Sequence, residues 1–385
     1  MRHKVVRVLA GAAAATFVVA GVAGCQDSGS DNNAGGASGE CAGQIAIMGA
    51  ITGSNSGLFL PSVQSAKMAI EQFNTKENCK VEPVEFDTTG SPTQAPQVAE
   101  QIVGKPAILA VIGGGFSGET KATMNKFAAG NVAMVSPSAT AIELSEAGNS
   151  AFHRVVGHDG VQGAAAAGYL KDTLQAKKVF IVDDSSTYGA GISGELKKGL
   201  GALVAGEDKV QEKQSNFAAT VSKVKSAGAD VVAYAGYTNE ATPFIKQLRS
   251  AGVTAKFVGF DGLYDANFAK GGAKDAEGAI VTCPCLPATK AGGTFSADFK
   301  SKYGADPGAY GAEGYDAAMI LLEGIKAGNT DRAKLSEWVD KYDKAGVSKH
   351  LKFDEKGDID RSKVVVWAYE VKGGKFEPLT DIKLS

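Results

Sequence analysis

A glycine-rich turn in the first third of the chain has the residue types of a ligand-binding loop. Residues 113–118, Gly-Gly-Gly-Phe-Ser-Gly, follow a predicted strand and precede a helical pattern. They match the Gly-x-Gly-x-x-Gly dinucleotide fingerprint. In a dinucleotide-binding fold that fingerprint follows the first strand, whereas this turn follows the third predicted strand. We therefore expect no cofactor. Glycines let a ligand approach the backbone, and free amides at a helix start attract an anion. A purely structural turn is the alternative.

Hydroxyl groups follow the next predicted strand. Residues 136–140 are Ser-Pro-Ser-Ala-Thr, and the carboxyl ends of neighbouring parallel strands face one cleft. Ser117 and Thr140 together would make a neutral cradle for a carboxylate. Taken alone, such a stretch is usually only a turn or a helix cap.

Three strand ends further along the chain, in the predicted second lobe, carry polar and aromatic residues. They are residues 183–189, 234–237 and 259–262. Asp261 between glycines could accept hydrogen bonds from a ligand ammonium, and Tyr188 and Tyr237 could close over the ligand. The alternative is again structural, since Asp-Gly is a common turn and tyrosines often fill core edges.

Short β-branched runs alternate with longer helical patterns, which is typical of parallel sheets flanked by helices. The fold class is therefore α/β, with two doubly wound parallel-sheet lobes joined by a hinge that the chain crosses more than once. The predicted strands are residues 44–50, 81–86, 107–112, 132–135, 178–182, 231–234, 257–260 and 364–369, and the late helices are residues 294–303, 309–327 and 333–345. We expect residues 41–157 and 283–354 in the first lobe, and 158–282 and 355–385 in the second.

The amino terminus has the pattern of a lipoprotein leader. A basic start and a short apolar run end at Val22-Ala23-Gly24-Cys25, which predicts a signal peptide over residues 1–24 and lipid attachment at Cys25. Residues 25–40 lack large apolar side chains and predict a flexible tether. A plain secretory leader is the alternative. We expect an extracytoplasmic protein anchored to the cell membrane by lipid.

Four further cysteines are an even number for an oxidising compartment, where disulfides are the default. Cys41 and Cys79 precede the first two strands, which predicts that they are bridged. Cys283 and Cys285 are either a small-ring disulfide or two free thiols, and no histidine spacing typical of zinc accompanies them. The net charge is -2, from 40 basic and 42 acidic residues, so we expect no nucleic-acid partner.

The chain resembles the leucine/isoleucine/valine-binding proteins of branched-chain amino acid ABC importers, in the type I periplasmic binding protein superfamily. The resemblance covers most of residues 41–385. It rests on Ile51-Thr52-Gly53, residues 136–140 and 183–189, Tyr237, Phe260-Asp261-Gly262, residues 311–318 and the stretch Phe-Asp-Glu-Lys-Gly-Asp at 353–358.

The resemblance implies a set of ligand contacts. Ser117 and Thr140 would bind the ligand carboxylate, while the Ser138 carbonyl, the Thr140 hydroxyl and Asp261 would bind its ammonium. The other implied contacts are Gly115 and Phe116 in the side-chain pocket, Ala139 in the same loop as Thr140, and Tyr188 and Tyr237 closing from the second lobe. The chain departs from the family pattern at two places. Asp261 is shorter than the usual Glu. After the Thr-Gly turn, where relatives often place an aromatic residue, this chain has Leu58 and Phe59, and the sequence does not fix which of them takes that position.

These observations predict a monomeric solute-binding protein that delivers a small amino acid, above all a branched-chain one, to an ABC permease. Amides, urea or aromatic acids are alternative ligands, because relatives bind them. A serine hydrolase is disfavoured because no Gly-x-Ser-x-Gly elbow is present, so we expect no enzyme. A ligand-sensing module would need a separate receptor partner.

Overall fold

Two parallel sheets organise residues 41–384, the part of the chain that the computed structural model describes. The signal peptide, the lipid-bearing Cys25 and the tether expected from the sequence lie outside the described residues. We call each sheet, with the helices packed on it, a lobe.

The sheet of the first lobe has five parallel strands in the order β2-β1-β3-β4-β5. β3 and β4 are buried along their whole length, as expected for central strands covered by helices on both faces. β2 alternates between buried and exposed residues and contains Pro83, which an edge strand tolerates. The strands are β1 (Ala42–Gly49), β2 (Lys80–Asp87), β3 (Ile108–Gly113), β4 (Ala133–Ser136) and β5 (Phe152–Arg154).

The sheet of the second lobe has seven strands in the order β14-β13-β10-β9-β8-β6-β7. Its first five strands along the chain run parallel, and the last two form an antiparallel hairpin added at β10. The strands are β6 (Val179–Asp183), β7 (Val204–Lys209), β8 (Val231–Ala235), β9 (Lys256–Gly259), β10 (Ile280–Cys283), β13 (Trp367–Lys372) and β14 (Lys375–Asp381). A separate small hairpin pairs β11 (Asp343–Ala345) with β12 (His350–Lys352).

The helices lie between strands, as the alternating sequence pattern predicted. They are α1 (Ser56–Glu77), α2 (Ala95–Val103), α3 (Ser117–Ala129), α4 (Glu143–Glu146), α5 (Asp159–Gly168), α6 (Thr187–Leu200), α7 (Ala218–Ala227), α8 (Thr238–Ser250), α9 (Ala266–Gly272), α10 (Phe295–Tyr303), α11 (Gly311–Lys326) and α12 (Arg332–Asp340). Within residues 41–384, no helix has both the length and the apolar character needed to cross a bilayer.

The chain passes between the lobes three times. It leaves the first sheet after β5 and enters the second lobe at α5, which packs on α6. It returns after β10, since α11 packs along α1, and it crosses again between β12 and the β13 strand of the second sheet. A cleft lies between the lobes, and loops at the carboxyl ends of parallel strands from both sheets border it.

The structure corrects several predicted elements. The helix expected over residues 333–345 ends at Asp340, because residues 343–345 pair with His350–Lys352 instead. The strand expected at 364–369 lies at Trp367–Lys372. The sequence analysis missed β5, β7, β10, β11, β12 and β14, most of which are short or lie at a sheet edge, where the apolar signal is weak.

Both pairs of cysteines are bridged. Cys41 is joined to Cys79 with an S–S distance of 2.08 Å, across a sequence separation of 38. The bond is in keeping with the strand register, since the next residues, Ala42 and Lys80, are partners in the pairing of β1 with β2. Cys283 and Cys285 are also bonded, at 2.05 Å, where the chain leaves β10.

Replacing both Cys41 and Cys79 by alanine should lower the free energy of unfolding by about 3–4 kcal/mol, because the bridge restricts a long loop in the unfolded chain. Denaturant unfolding of the two proteins measures the difference. The Cys283→Ala/Cys285→Ala pair is the control, because its sequence separation of only 2 predicts a smaller loss. Equal losses for the two double variants would contradict the loop-closure argument.

Candidate functional site

The glycine-rich turn lies where β3 meets α3, pressed against its neighbours. Gly113 has a φ of +139°, and a Cβ there would lie 2.1 Å from the Met48 carbonyl oxygen. A Cβ at Gly115 would lie 2.4 Å from the Phe59 ring. Side chains at these positions would force the turn away from β1 and α1, so the glycines are needed to bring the backbone close to its neighbours.

One backbone amide of this turn, which could otherwise bind a ligand anion, is already hydrogen-bonded inside the protein. The Phe116 amide donates to Glu119 Oε1 at 2.9 Å, and the same carboxyl group accepts from the Thr88 hydroxyl. Burial raises the pKa of Glu119 to about 7, although the Thr88 hydroxyl and the turn amides oppose the shift. The expectation of free amides for a ligand is therefore wrong at Phe116, and a ligand anion depends on other donors.

The hydroxyl-rich loop after β4 is tied to this turn. The Ser136 hydroxyl donates to the Gly114 carbonyl at 2.7 Å, and the Ser138 hydroxyl donates to the Gly115 carbonyl at 2.8 Å. Ser117 Oγ accepts the Ala141 amide at 3.2 Å. The predicted residues of the first lobe, Gly115, Phe116, Ser117, Ser138, Ala139 and Thr140, are thus brought together in one buried cluster.

Thr140 is the member of this cluster with unused hydrogen-bonding capacity. Its hydroxyl is buried and has no partner, whereas its carbonyl accepts the Asp159 amide at 2.8 Å. A buried hydroxyl without a partner loses its bonds to water and gains none in return. Among the hydroxyls predicted to hold a ligand, Thr140 is therefore the one that most needs an external partner.

Asp261 lies at the end of β9 in the second lobe, with both carboxylate oxygens occupied. The Tyr188 hydroxyl donates to Oδ1 at 2.8 Å and the Tyr310 hydroxyl donates to Oδ2 at 2.7 Å. Burial raises the pKa of Asp261 to about 6, against the opposing effect of the two tyrosines. Tyr310 immediately precedes α11 of the first lobe, so its bond to Asp261 joins the lobes.

The sequence analysis missed Asp159, which lies in the first turn of α5. Asp159 is fully buried, and neither of its carboxylate oxygens has a hydrogen-bond partner. Burial and the neighbouring charge of Asp261 raise its pKa well above the usual range. Gln162 Oε1, one helical turn further on, is also buried without a partner. This part of the cleft is rich in acceptors and poor in donors.

An aromatic wall lies beside the polar groups. The Phe116 ring of the first lobe contacts the Tyr237 ring of the second at 5.0 Å between centroids, and Tyr237 contacts Tyr188 at 5.1 Å. The Tyr237 amide donates to Asp184 Oδ2 at 3.2 Å, which fixes the start of α8. The predicted residues of the second lobe, Tyr188, Tyr237 and Asp261, thus also come together, and Phe116 connects the two sets.

The lobes also touch at the start of α1. A Cβ on Gly57 would lie 2.1 Å from Asp265 Oδ1, so this glycine allows the second lobe to approach the first. Outside the Phe116–Tyr237 contact the cleft widens into a cavity of about 550 Å³ with a mixed polar and apolar lining. Loops of both lobes contribute to it, including residues 53–55, 89–92, 184–187 and 211–213. The two lobes thus meet around the buried cluster of predicted residues.

Tyr310 and Asp159 gave weak signals in the sequence. Tyr310 has a left-handed backbone with φ +58°, which a tyrosine rarely adopts and which no sequence pattern announces. Asp159 looks like an ordinary acidic residue at a helix start. Within residues 41–384, no cluster of three or more His, Cys, Asp or Glu side chains is arranged to hold a metal ion.

Comparison with known proteins places this fold and cleft in a family. The model of the family described as "Periplasmic binding protein" matches residues 44–374. The chain belongs to this family, and the type I periplasmic binding protein fold and the resemblance inferred from the sequence are both confirmed.

The relatives are amino-acid-binding proteins. The chain is 30% identical to the leucine-, isoleucine-, valine-, threonine- and alanine-binding protein of Pseudomonas aeruginosa, over 85% of this chain and 89% of that one. It is 28% identical to the Leu/Ile/Val-binding protein of Escherichia coli, over 86% and 91% of the two chains. The leucine-binding protein LivK of Thermotoga maritima superposes with a TM-score of 0.82 at 29% identity, covering 88% of this chain and 98% of that one.

The buried Glu119 makes stability depend on pH. Because its folded pKa of about 7 exceeds the ordinary value of 4.5, the folded state binds more protons between these pH values and the free energy of unfolding falls as pH rises. Glu119→Gln removes the charge, while its carbonyl oxygen can still accept the Phe116 amide and its NH2 group can donate to Thr88 Oγ. At pH 8 it should be more stable than wild type by up to about 3 kcal/mol, and the gain should vanish near pH 4.5.

Denaturant unfolding at both pH values, without ligand, measures this effect. Glu337→Gln at an exposed position of α12 removes the same charge and controls for its general effect. A Glu119→Gln stability difference that does not change with pH would contradict the assignment.

Proposed function

We propose that this protein is an extracytoplasmic solute-binding lipoprotein of an ABC importer, and that it captures a small amino acid in the cleft between its lobes. A branched-chain amino acid is the first ligand to test, because the relatives in Pseudomonas aeruginosa and Escherichia coli carry such ligands in their names. The protein acts as a monomer and delivers its ligand to the permease. It catalyses no reaction.

The observation that carries this proposal is the unpartnered carboxylate of Asp159. Burying a carboxylate without donors is costly unless a binding partner supplies them. A ligand ammonium brings three N–H donors and a positive charge. It would give Asp159 and the Thr140 hydroxyl the hydrogen-bond partners they lack, and it would give Asp261, whose oxygens already accept from two tyrosines, a positive charge to pair with. The amino group of the ligand therefore lies between these three residues.

The ligand carboxylate is assigned to the side away from Asp159 and Asp261, whose carboxylates would repel a second negative charge placed next to them. The Ser117 hydroxyl can donate to it there, and the Thr140 hydroxyl lies between the two ligand groups, accepting from the ammonium and donating to the carboxylate. A zwitterion satisfies both sides, with its aliphatic part against Gly115 and Phe116. Tyr188 and Tyr237 cover it from the second lobe.

The proposed binding of one ligand by both lobes also gives a reason for the lobes to close. Asp261 belongs to the second lobe and the hydroxyl cradle to the first, so one ligand contacts both and favours the closed state by its higher affinity for that state. The interlobe bond from Tyr310 to Asp261 and the contact of Gly57 with Asp265 support the same arrangement.

An aromatic or simple carboxylic acid is the second candidate ligand. A solute-binding protein from R. palustris with the same fold was solved in complex with benzoate, at 18% identity and a TM-score of 0.77. Such an acid has no positive charge to pair with Asp159. A thermal-shift screen of the twenty amino acids, small amides and benzoate compares these classes, and stabilisation by benzoate alone would overturn the amino-acid assignment.

Asp159→Asn and Asp261→Asn should each weaken binding of the best amino acid by roughly 30-fold or more. Each change leaves the ligand ammonium without one charged partner, and such losses cost about 2–5 kcal/mol. Isothermal titration calorimetry measures the effect, with the exposed Asp172→Asn as the control. The analogue without the amino group should bind wild type poorly and be affected little by either change.

The pH dependence of binding gives a second readout of the same variants. Because burial raises the pKa of Asp261 to about 6 and that of Asp159 well above its usual range in the ligand-free protein, protons compete with the ammonium for both carboxylates and the affinity of wild type should fall as pH drops. Asp261→Asn should lose part of this dependence. Affinities of both Asn variants within threefold of wild type would place the ammonium elsewhere.

Cys25→Ser should release the protein from membranes, because Cys25 is the proposed site of acylation and the Gly24-Cys25 junction the cleavage point. Fractionation and metabolic acyl labelling measure this, with Ser30→Ala in the tether as the control. A Cys25→Ser protein that remains in the membrane fraction and keeps its acyl label would refute the lipid anchor.

A further inference from the structure

We propose that Arg154 is a positioning residue for the ligand site, and that it holds the Thr140 loop in place through an ion pair with Asp358. This inference rests on the proposed amino-acid function, since it concerns the loop assigned to the ligand. Neither residue contacts the proposed ligand atoms, and both act from behind the loop.

The guanidinium of Arg154 donates hydrogen bonds to the backbone on both sides of Thr140. Arg154 is fully buried at the end of β5, and its Nη1 donates to the Ala139 carbonyl at 3.2 Å and to the Ala141 carbonyl at 2.8 Å. Its Nη2 donates to Ser145 Oγ in α4 at 2.8 Å. Only a planar fork of donors can reach these acceptors together, so a lysine cannot replace it.

Asp358 supplies the negative charge that compensates the positive charge of the buried Arg154 guanidinium. Arg154 Nε donates to Asp358 Oδ1 at 2.5 Å, and the Arg154 side chain is completely shielded from solvent. Removing one partner of such a pair leaves the other charge buried and uncompensated. The position of the guanidinium, and with it the Thr140 loop, therefore depends on a residue more than two hundred positions away in sequence.

The turn that carries Asp358 is itself tightly held. Asp354 Oδ1 accepts the amides of Lys356 at 2.8 Å and Asp358 at 3.0 Å. The Gly357 carbonyl accepts the Arg154 amide at 3.0 Å. Gly357 has a φ of +77°, and a Cβ there would lie 2.1 Å from the Phe152 carbonyl oxygen, so the turn lies directly on β5.

The turn at 354–358 belongs to the third passage of the chain between the lobes. It follows β12 and leads to β13 of the second sheet. The Arg154–Asp358 pair thus connects a hinge segment to the loop that carries Thr140. The Thr140 carbonyl in turn fixes the Asp159 amide, so a shift of the loop would move the two groups assigned to the ligand ammonium together.

A purely structural ion pair would have a different signature. If Arg154 only stabilised the fold, its replacement would lower the melting temperature but leave the affinity and selectivity of the folded protein unchanged. If it positions the loop, the folded protein loses affinity for the amino acid and part of its preference over the analogue without the amino group.

The test compares Arg154→Lys and Asp358→Asn with Glu355→Gln, an exposed acid-to-amide control three residues earlier in the same turn. Conditions are chosen so that each protein is fully folded by circular dichroism. Titration with the best amino acid should show about a tenfold or greater loss of affinity for the first two variants, equal to about 1.4 kcal/mol or more. The control should stay at the wild-type value. The double variant should lose less than the sum of the two single losses.

Amide hydrogen exchange gives a readout that needs no ligand. The amides of Ala141 and Asp159, bonded to Ser117 Oγ and the Thr140 carbonyl, should exchange faster in Arg154→Lys than in wild type, while those of the β8 strand should not. If wild type binds no amino acid, the proposed function fails and exchange alone decides the role of Arg154. Unchanged exchange at both amides, or unchanged affinity and selectivity in the folded variants, would overturn the proposal.

Discussion

The unpaired, buried carboxylate of Asp159 is the constraint on which the account of this protein depends. A folded protein seldom keeps an acidic group away from water without donors, and no donor among the described residues completes a hydrogen bond to Asp159, although the Thr140 hydroxyl lies near enough to oppose the rise of its pKa. The second acid, Asp261, lies near enough to raise the pKa of Asp159 further, while its own oxygens are held by two tyrosines. This imbalance between acceptors and donors is the basis for the proposal that the cleft binds an ammonium group.

The rest of the fold brings these groups together and keeps water out. Parallel strands place their carboxyl ends along one edge of each sheet, and the three passages between the sheets turn those edges toward each other. Phe116 and Tyr237 cover the site on its outer side. Behind it, Glu119 and Arg154 use hydrogen bonds on backbone groups of the two loops proposed to bind the ligand. The positions of Thr140 and Phe116 are thus set by side chains outside the proposed ligand contacts.

Much of this arrangement could be predicted from the sequence, because it depends on local patterns. The alternation of strands and helices gave the α/β class, and the residues following each strand included Ser117, Thr140 and Asp261. The parts that could not be predicted depend on distant contacts. Tyr310 reaches Asp261 across 49 residues and from the other lobe, and Arg154 depends on a turn near the carboxyl terminus. The use of the Phe116 amide by Glu119 could not be foreseen either, since a capping glutamate and a free helix start have the same local sequence.

A crystal structure of the protein with its best amino-acid ligand tests the central claim most directly. We expect electron density for a ligand whose ammonium nitrogen lies about 3 Å from an oxygen of Asp159 and from an oxygen of Asp261, and within the same distance of the Thr140 hydroxyl. A ligand whose ammonium points into the outer polar cavity, with Asp159 still lacking a donor, would contradict it.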